Sequence, residues 1–208
     1  MVIRKNLPQE ADHSSPLVVK IGGSLQHHGA EIVSILQSSL RPLLIVPGGG
    51  ALANIVRHSA INDDAAHWMA IAAMDQYGWM LASWGIGTTN VLETPGHPCI
   101  FLPYRVMHEQ DPLPHSWDVT SDTIAAWVAK VLGTNLLVLK SVDGINRRGV
   151  LMTTISKPVV SDVVDPCFIL FVMKNRILAY IINGTKPERV KRWLEGEPVP
   201  GTVIGTTF

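Results

Sequence analysis

Short apolar runs alternate with longer stretches of helical spacing along most of the chain. Apolar runs that end in a glycine-containing turn are typical of buried strands. They predict strands at residues 17–21, 43–46, 136–139 and 177–182, with shorter candidates at 90–93, 99–102 and, as an edge strand, 203–204. Apolar residues three and four positions apart predict helices. These helices are expected at residues 29–40, 51–59, 64–84, 120–132 and 187–194.

The alternation of strands and helices predicts an α/β fold with a parallel-rich sheet and helices on both faces. No linker-like segment interrupts residues 17–208, so we expect a single domain there, preceded by a flexible N-terminal arm over residues 1–16. At the element boundaries, we expect Asp63 or Asp64 to cap the long helix and Gly133 to end the fourth. Residues 103–114 contain three prolines and are expected to form a loop.

Charge and composition exclude several classes of function. Lys plus Arg is 17 and Asp plus Glu is 17, so the sequence predicts no nucleic-acid partner. The most apolar stretch, residues 168–182, is interrupted by Lys174, Asn175 and Arg176, so no membrane span is expected. Cys99 and Cys167 are far apart and are expected to be free thiols. With no signal-peptide pattern, these features predict a cytoplasmic protein.

Three predicted strands run into glycine-containing turns at their carboxyl ends, where open α/β sheets bind ligands. The turns are Lys-Ile-Gly-Gly-Ser at 20–24, Pro-Gly-Gly-Gly at 47–50 and Val-Asp-Gly at 142–144. Glycines let backbone N–H groups approach a phosphate closely, and a following helix adds its positive dipole end. A lysine beside two such turns is suited to phosphoryl transfer, although each turn alone is more often only a tight turn.

The common nucleotide-binding signatures are missing from the sequence. There is no G-x-x-x-x-G-K-[ST], and Gly85-Ile86-Gly87 is followed by Asn90 where G-x-G-x-x-G requires glycine. A kinase with this sequence therefore uses neither a Walker loop nor the protein-kinase motifs.

The motifs together resemble those of the amino acid kinase family, which includes acetylglutamate, uridylate and isopentenyl phosphate kinases. The similarity rests on V-V-K-I-G-G-S, V-P-G-G-G, T-S-D-T-I-A-A-W-V-A, L-V-L-K-S-V-D-G-I and the C-terminal I-I-N-G-T-K-P-E-R-V, in the family's order. The resemblance implies a three-layer α-β-α sandwich with a mostly parallel central sheet. It also implies ATP as co-substrate, Mg²⁺, a small-molecule acceptor and a homo-oligomer.

The resemblance also implies roles for individual residues. It implies two catalytic residues. Lys20 would contact the transferred phosphoryl group, and Asp122 would orient lysine side chains. The remaining implied contacts are Gly22, Gly23 and Ser24 with the ATP phosphates, Gly48, Gly49 and Gly50 with the acceptor, and Asp143 and Gly144 with the nucleotide. Asp122, at a helix start, can serve Lys20 as a counter-ion or simply cap the helix.

The sequence departs from the family at one lysine. Many members carry a second lysine in a G-M-x-x-K segment, which is missing here. Lys140, at a strand's carboxyl end, is our hypothesis for the replacement and the third catalytic candidate. The alternative is that Lys140 only pairs with Asp143 or Asp162.

Within the family, residues 63–78 and 116–127 most resemble the methanofuran-biosynthesis group. Its members phosphorylate a furan that carries an aminomethyl group and a phosphate. We therefore expect Asp118 to pair with the amine and His67 to reach the acceptor phosphate, although His67 is as readily a core histidine. Other acceptors remain open, such as acetylglutamate, UMP or isopentenyl phosphate, as does a non-catalytic protein that binds nucleotides or oxyanions. The long helix, apolar nearly all round, is the expected contact between subunits.

Overall fold

The computed structural model describes residues 15–205. The arm expected over residues 1–16 lies outside this range except for its last two residues. The described chain is an α/β protein with helices on both faces of a mostly parallel eight-stranded sheet, as the sequence predicts.

The central sheet has the strand order β3-β4-β2-β1-β5-β9-β10-β8. All its neighbouring strands are parallel except β9 and β10, and β6 and β7 form a separate hairpin. The strands are β1 Leu17–Ile21, β2 Leu43–Pro47, β3 Gly87–Thr89, β4 Cys99–Phe101, β5 Asn135–Lys140, β6 Asn146–Arg147, β7 Val150–Leu151, β8 Thr154–Ile155, β9 Ala179–Asn183 and β10 Gly201–Ile204.

Seven α-helices cover the sheet within the described residues. They are α1 Gly29–Gln37, α2 Gly50–Arg57, α3 Asp63–Ala82, α4 Tyr104–Gln110, α5 Ser121–Leu132, α6 Phe168–Lys174 and α7 Pro187–Leu194, and a 3-10 helix spans Gly23–His28. Helices α4, α5 and α6 contribute to the hydrophobic core on one face, α1 and α7 to the core on the other, and α3 to both. The result is a three-layer sandwich.

Strand β1 shows how the sheet creates a polar site. Its residues point alternately to opposite faces: Val18 packs in the core beneath α5, whereas Val19 packs in the core beneath α1. Lys20 shares the face of Val18, so the first strand delivers a cation to the α5 side at its carboxyl end.

Several boundaries differ from the sequence predictions. Residues 103–114 contain helix α4, because Pro103 occupies its N-cap, where no helical N–H is lost. Strand β3 ends before the segment predicted at 90–93. The cap of α3 is Asn62, whose side chain accepts a hydrogen bond from the N–H of Ala65 at 2.8 Å, not Asp63 or Asp64.

Four further expectations can be compared with the structure. Strand β10 lies inside the sheet because β8 pairs with its outer side, so the predicted edge position is wrong. Gly133 ends α5 in a left-handed conformation, as predicted. Both cysteines are free, Cys99 buried and Cys167 half-buried. Among the described residues, every helix falls short of the length and apolarity that a membrane crossing requires.

Candidate active site

A cavity of about 490 Å³ opens at the carboxyl ends of β1 and β5, bordered by the starts of α2, α3 and α5. Lys20, Lys140 and Asp122 line its sheet side. The opposite wall comes from α2, α3 and the segment that precedes α5, with Arg57 and Trp117 among its residues. This is the ligand-binding edge that a parallel sheet is expected to offer.

A carboxylate lies between two lysines at the base of this cavity. Asp122 Oδ1 is 2.7 Å from Lys20 Nζ, and Asp122 Oδ2 accepts a hydrogen bond of 2.6 Å from Lys140 Nζ. Lys20 and Asp122 are each 3% exposed. The register explains the meeting: Val138 stands opposite Lys20, and Lys140 lies two residues further along β5 on the same face.

The pKa shifts of this cluster follow from burial and from the paired charges. Burial by itself raises the pKa of Asp122, but the charges of Lys20 and Lys140 outweigh it and lower that pKa. Burial, followed by repulsion from Lys20, lowers the pKa of Lys140 to about 8. At neutral pH the three groups therefore carry a net charge of +1, which favours a phosphoryl group beside them.

The pairing answers one question that the sequence left open. Lys140 pairs with Asp122, and neither alternative partner, Asp143 or Asp162, forms an ion pair with it in the described structure. Asp122 is also not a simple helix cap, because Thr120 occupies the N-cap position. Both lysines at strand ends thus converge on one carboxylate.

The first two glycine turns pack against each other beside the cluster. A Cβ on Gly23 would lie 2.5 Å from the backbone of Gly50, so the first turn tolerates no side chain there, and Gly50 itself has a left-handed φ of 58° that favours glycine. Gly23, Ser24, Gly49 and Gly50 line the cavity, whereas Gly22 and Gly48 are buried behind it.

The third glycine turn lies away from this cavity. Asp143 is paired with Arg189 at 2.6 Å and accepts a hydrogen bond of 2.7 Å from Asn183. These contacts, the bond from Asn183 first, lower the pKa of Asp143 against the effect of partial burial. A Cβ on Gly144 would clash with Thr202. Neither Asp143 nor Gly144 lines the cavity.

His67 lines the cavity from α3 and is 8% exposed. Burial, followed by the charge of His115, lowers the pKa of His67 to about 4, so the ring is neutral at neutral pH. Its Nε2 has no hydrogen-bond partner within the described part of the chain. A neutral ring of this kind is able to hydrogen-bond a ligand but adds no charge.

His115 lies against His67 and bridges two helices. Its Nδ1 is 2.7 Å from Asp64 and its Nε2 is 2.9 Å from Asp111. These bonds, the one to Asp64 first, raise the pKa of His115. His67, Asp111 and His115 place ligand atoms within 4.8 Å of one another. The two rings are stacked, however, with centroids 4.1 Å apart and planes at 19°, so their in-plane lone pairs do not converge on one metal ion.

Two groups in the cavity wall, Arg57 and Asp63, are not among the site residues predicted from the sequence, which include a different aspartate, Asp118. Arg57 lies over the Trp117 ring, 4.5 Å from its centroid, and Asp63 lines the cavity from the first turn of α3. Asp118 is exposed and does not line the cavity. The sequence does carry a signal for Asp63, because this residue begins the segment 63–78 that resembles the methanofuran-biosynthesis group.

A second buried carboxylate, Asp165, supports the start of α5 and was also missed. Asp165 Oδ2 accepts hydrogen bonds from the N–H groups of Thr120 and Thr123 at 2.9 and 3.0 Å. The hydroxyls of the same threonines donate to it as well. Asp165 therefore holds in place the helix turn that carries Asp122. Its distance along the sequence left no local signal.

Comparison with models of protein families finds no match. A curated protein, (5-(aminomethyl)furan-3-yl)methyl phosphate kinase of Methanocaldococcus jannaschii, is 30% identical over 203 residues, which cover 86% of this chain and 93% of that protein. Among solved structures, uridylate kinase of Archaeoglobus fulgidus matches with a TM-score of 0.67 and 19% identity, covering 91% of this chain and 99% of that one. Isopentenyl phosphate kinase matches with a TM-score of 0.61 and 17% identity, covering 91% of this chain and 100% of that one.

Proposed function

The chain belongs to the amino acid kinase family of ATP-dependent small-molecule kinases, and we propose that its acceptor is (5-(aminomethyl)furan-3-yl)methyl phosphate. The γ-phosphoryl group of ATP is transferred to the acceptor phosphate, which gives a diphosphate and ADP in the biosynthesis of a methanofuran-type C1 cofactor. The identity to the kinase of Methanocaldococcus jannaschii, which extends over almost all of that protein, supports this acceptor.

The observation that carries the proposed activity is the buried cluster of Lys20, Asp122 and Lys140. In phosphoryl transfer, the bond from the γ-phosphorus to the bridging oxygen breaks while an acceptor oxygen bonds to that phosphorus, and negative charge lies on the equatorial oxygens. Lys20 and Lys140 are suited to stabilise this charge, and Asp122 holds both ammonium groups in place beforehand. A site that is preorganised in this way needs little rearrangement during the reaction.

The substrate contacts expected from the sequence remain part of this proposal. Gly23 and Ser24 offer backbone and hydroxyl donors to the ATP phosphates, and Gly49 and Gly50 face the acceptor; all four line the cavity. Gly22 and Gly48 act by letting the turns approach each other. The Nε2 of His67 is buried and lacks a hydrogen-bond partner among the described residues, and we propose that it bonds the acceptor phosphate once the acceptor is bound.

We further propose that the nucleotide extends from the cavity toward Asp143 and Gly144, which follow β5 beyond Lys140. Mg²⁺ belongs to the proposal as the partner of ATP. Both oxygens of Asp122 are engaged by lysines, so substrate phosphates would supply most of the ligands, as is common for Mg²⁺. A cytoplasmic location, where ATP is available, is also part of the proposal.

Exposed apolar residues on neighbouring helices support a homo-oligomer. Leu52 and Ile55 on α2 are 41% and 65% exposed, and Met69 and Trp79 on α3 are 49% and 59% exposed. Clusters of exposed apolar side chains mark contact surfaces more often than scattered ones do. Light scattering after size exclusion would report the mass directly, and a monomer at micromolar concentration would contradict this part of the proposal.

A panel of acceptors tests the proposed activity. The purified chain is incubated with ATP, Mg²⁺ and, separately, the furan phosphate, UMP, isopentenyl phosphate or acetylglutamate. ADP release gives kcat/KM, and phosphorus NMR identifies the new diphosphate. We expect the highest kcat/KM with the furan phosphate. A higher value with another acceptor would overturn the acceptor. Binding of ATP without ADP release from any of them would favour a non-catalytic binding protein.

A further inference from the structure

The wall of the cavity carries more charge than phosphoryl transfer alone requires. Among the described residues that line it, Lys20, Lys140 and Arg57 are cationic and Asp122 and Asp63 are carboxylates. Asp122 is neutralised by the two lysines. Asp63 forms no ion pair with any described residue. One unpaired carboxylate therefore faces a cavity in which two phosphorylated substrates are proposed to meet.

An unpaired carboxylate in that place is unfavourable for an acceptor that is only anionic. It repels the acceptor phosphate and the γ-phosphate, and because Asp63 is exposed, water screens part of this repulsion until the acceptor is bound. The repulsion becomes an attraction when the acceptor itself carries a cation. Acceptors such as UMP, isopentenyl phosphate and acetylglutamate carry no such group at neutral pH.

The two structural roles expected near the start of α3, capping the helix and bonding to His115, are filled by the neighbours of Asp63. Asn62 already caps α3 through the N–H of Ala65, and the neighbouring Asp64 is bonded to His115. What is left to Asp63 within the helix is a favourable interaction with the helix dipole, which a measurement of stability would report.

The positive end of the same wall lies close by in the fold. Arg57 ends α2 and Asp63 begins α3, so a short connection brings the two helix ends together. Arg57 packs over Trp117 and makes no ion pair within the described residues, which leaves its charge available to an anion. The wall thus presents a cation and an anion to one small ligand.

From this arrangement we infer that the site selects a zwitterionic acceptor, with Asp63 binding its ammonium group and Arg57 its phosphate. The inference rests on the proposed function and deepens it, because it names the residues that set specificity. It also replaces Asp118, the aspartate expected from the sequence, which lies outside the cavity lining.

Two acceptors that differ only in the amine test this inference. One is the aminomethyl furan phosphate, and the other carries a methyl group in place of the aminomethyl group. The wild-type chain should prefer the amine. Asp63→Asn should lower kcat/KM for the amine by roughly tenfold to a hundredfold, as expected for the loss of one partly desolvated charge pair. Because the methyl analogue and ATP lose only a repulsion, kcat/KM for the methyl analogue should not fall and KM for ATP should not rise.

Matched variants separate the explanations. Asp162→Asn removes an exposed carboxylate that does not line the cavity and should leave the preference for the amine intact. Equal losses on both acceptors in Asp63→Asn would overturn the inference and indicate a structural role, which thermal unfolding would confirm. Loss of the preference in Asp118→Asn but not in Asp63→Asn would overturn it as well, in favour of the aspartate expected from the sequence.

Calorimetric binding of the two acceptors distinguishes failure of the inference from failure of the proposed function. Turnover of the amine by the wild-type chain without any preference over the methyl analogue would sink the inference and leave the kinase proposal standing. Tighter binding of the amine, abolished in Asp63→Asn but accompanied by no ADP, would support the selective site and reject the kinase activity. Equal binding without ADP would reject both.

Discussion

Two buried carboxylates lie at the start of helix α5, and they have opposite surroundings. Asp122 contacts the ammonium groups of Lys20 and Lys140, whereas Asp165 accepts hydrogen bonds from Thr120 and Thr123. Burial raises the pKa of each, but at Asp122 the lysines outweigh it. At Asp165 the charge of Asp122 adds to burial, and the pKa stays raised despite the threonine bonds.

The difference separates a group that we propose acts on the substrate, Asp122, from one that supports the fold, Asp165. The two lysines around Asp122 carry one more positive charge than this carboxylate neutralises, and that net positive charge faces the cavity. The N–H groups and hydroxyls around Asp165 are consumed entirely within the protein, where they fix the first turn of α5. Chemically similar residues with similar burial are therefore expected to fail in different ways when they are replaced.

The largest effect is expected from Asp122→Asn, which keeps the shape of the side chain and removes its charge. The two lysines would then repel each other without a counter-ion, and the stabilising charge at the transferred phosphoryl group would lose its position. We expect kcat to fall about a thousandfold, in the range of other losses of preorganised electrostatic groups. The measurement is ADP release at saturating ATP and acceptor. A fall of less than tenfold would remove the cluster from the chemistry.

Lys140, which we propose replaces the family's second lysine, is the next target. Lys140→Ala should lower kcat by about a hundredfold if its charge stabilises the transition state. Lys157→Ala, at an exposed position, is the matched control and should leave kcat unchanged. Unchanged turnover in Lys140→Ala would strike Lys140 from the catalytic residues.

The pH profile isolates the same side chain. Burial and Lys20 lower the pKa of Lys140 to about 8, so its charge is lost as the pH rises through that value. We expect kcat of the wild-type chain to decline above this pH. Lys140→Arg, which stays protonated, should move the decline to higher pH. An identical alkaline limb in Lys140→Arg and wild type would assign the titration to another group.

Asp165→Asn tests the other half of the comparison. An amide oxygen replaces only part of the carboxylate's four hydrogen bonds, and α5 loses an anion at its positive end. We expect the free energy of unfolding to fall by about 2 kcal/mol, typical of lost hydrogen bonds to a charged group. Urea denaturation measures this loss, while kcat should change by only a few-fold. A thousandfold loss of kcat at unchanged stability would make the two carboxylates equivalent.

The linkage to pH has opposite signs at the two sites. The lowered pKa of Asp122 contributes stability that is present above 3.8 and is lost as the pH falls through its folded-state pKa. The raised pKa of Asp165 contributes stability that is present below 3.8 and is lost as the pH rises through its folded-state pKa. As the pH is lowered toward acid, the free energy of unfolding should therefore fall less steeply in Asp122→Asn than in wild type, and more steeply in Asp165→Asn than in wild type.

The sequence predicts the α/β architecture because each strand can be recognised from its own short apolar segment. Apolar runs such as 17–21 and 136–139 need no distant information to be recognised as buried strands. The three prolines of residues 103–114 predict a loop, and helix α4 contradicts that prediction. In fact Pro103 precedes the helix and Pro112 follows it, so both are compatible with a helix between them.

The site is only partly readable from the sequence because its partners are distant along the chain. Lys20 and Asp122 were found through their motifs, and Lys140 through its place at a strand end. The partner of Lys140 follows from the register of β1 with β5, which a search for nearby carboxylates does not reveal. Asp118 was expected from the resemblance to the methanofuran-biosynthesis group, but it lies outside the cavity lining, in the segment before α5 begins at Ser121.

The smallest effect on stability is expected from the ion pairs of His115, whose partner carboxylates are exposed, unlike Asp122 and Asp165. His115 bonds to Asp64 from α3 and to Asp111 at the end of α4, and these aspartates are 80% and 57% exposed. Because water screens such pairs, we expect His115→Asn to lower the free energy of unfolding by less than about 1 kcal/mol. The stacked His67 ring, with its pKa lowered to about 4, stays neutral above that pH and does not titrate alongside His115.

The sign of the pH dependence shows whether charge or ring stacking holds this contact. The bonds to Asp64 and Asp111 raise the pKa of His115, so its contribution is fully present below 6.5 and is lost as the pH rises through the folded-state pKa. The difference in unfolding free energy between wild type and His115→Asn should therefore shrink with rising pH. A difference that is the same at every pH would show that the contact depends on packing against His67. Burial, and not the mere presence of opposite charges, would still separate this pair from the cluster around Asp122.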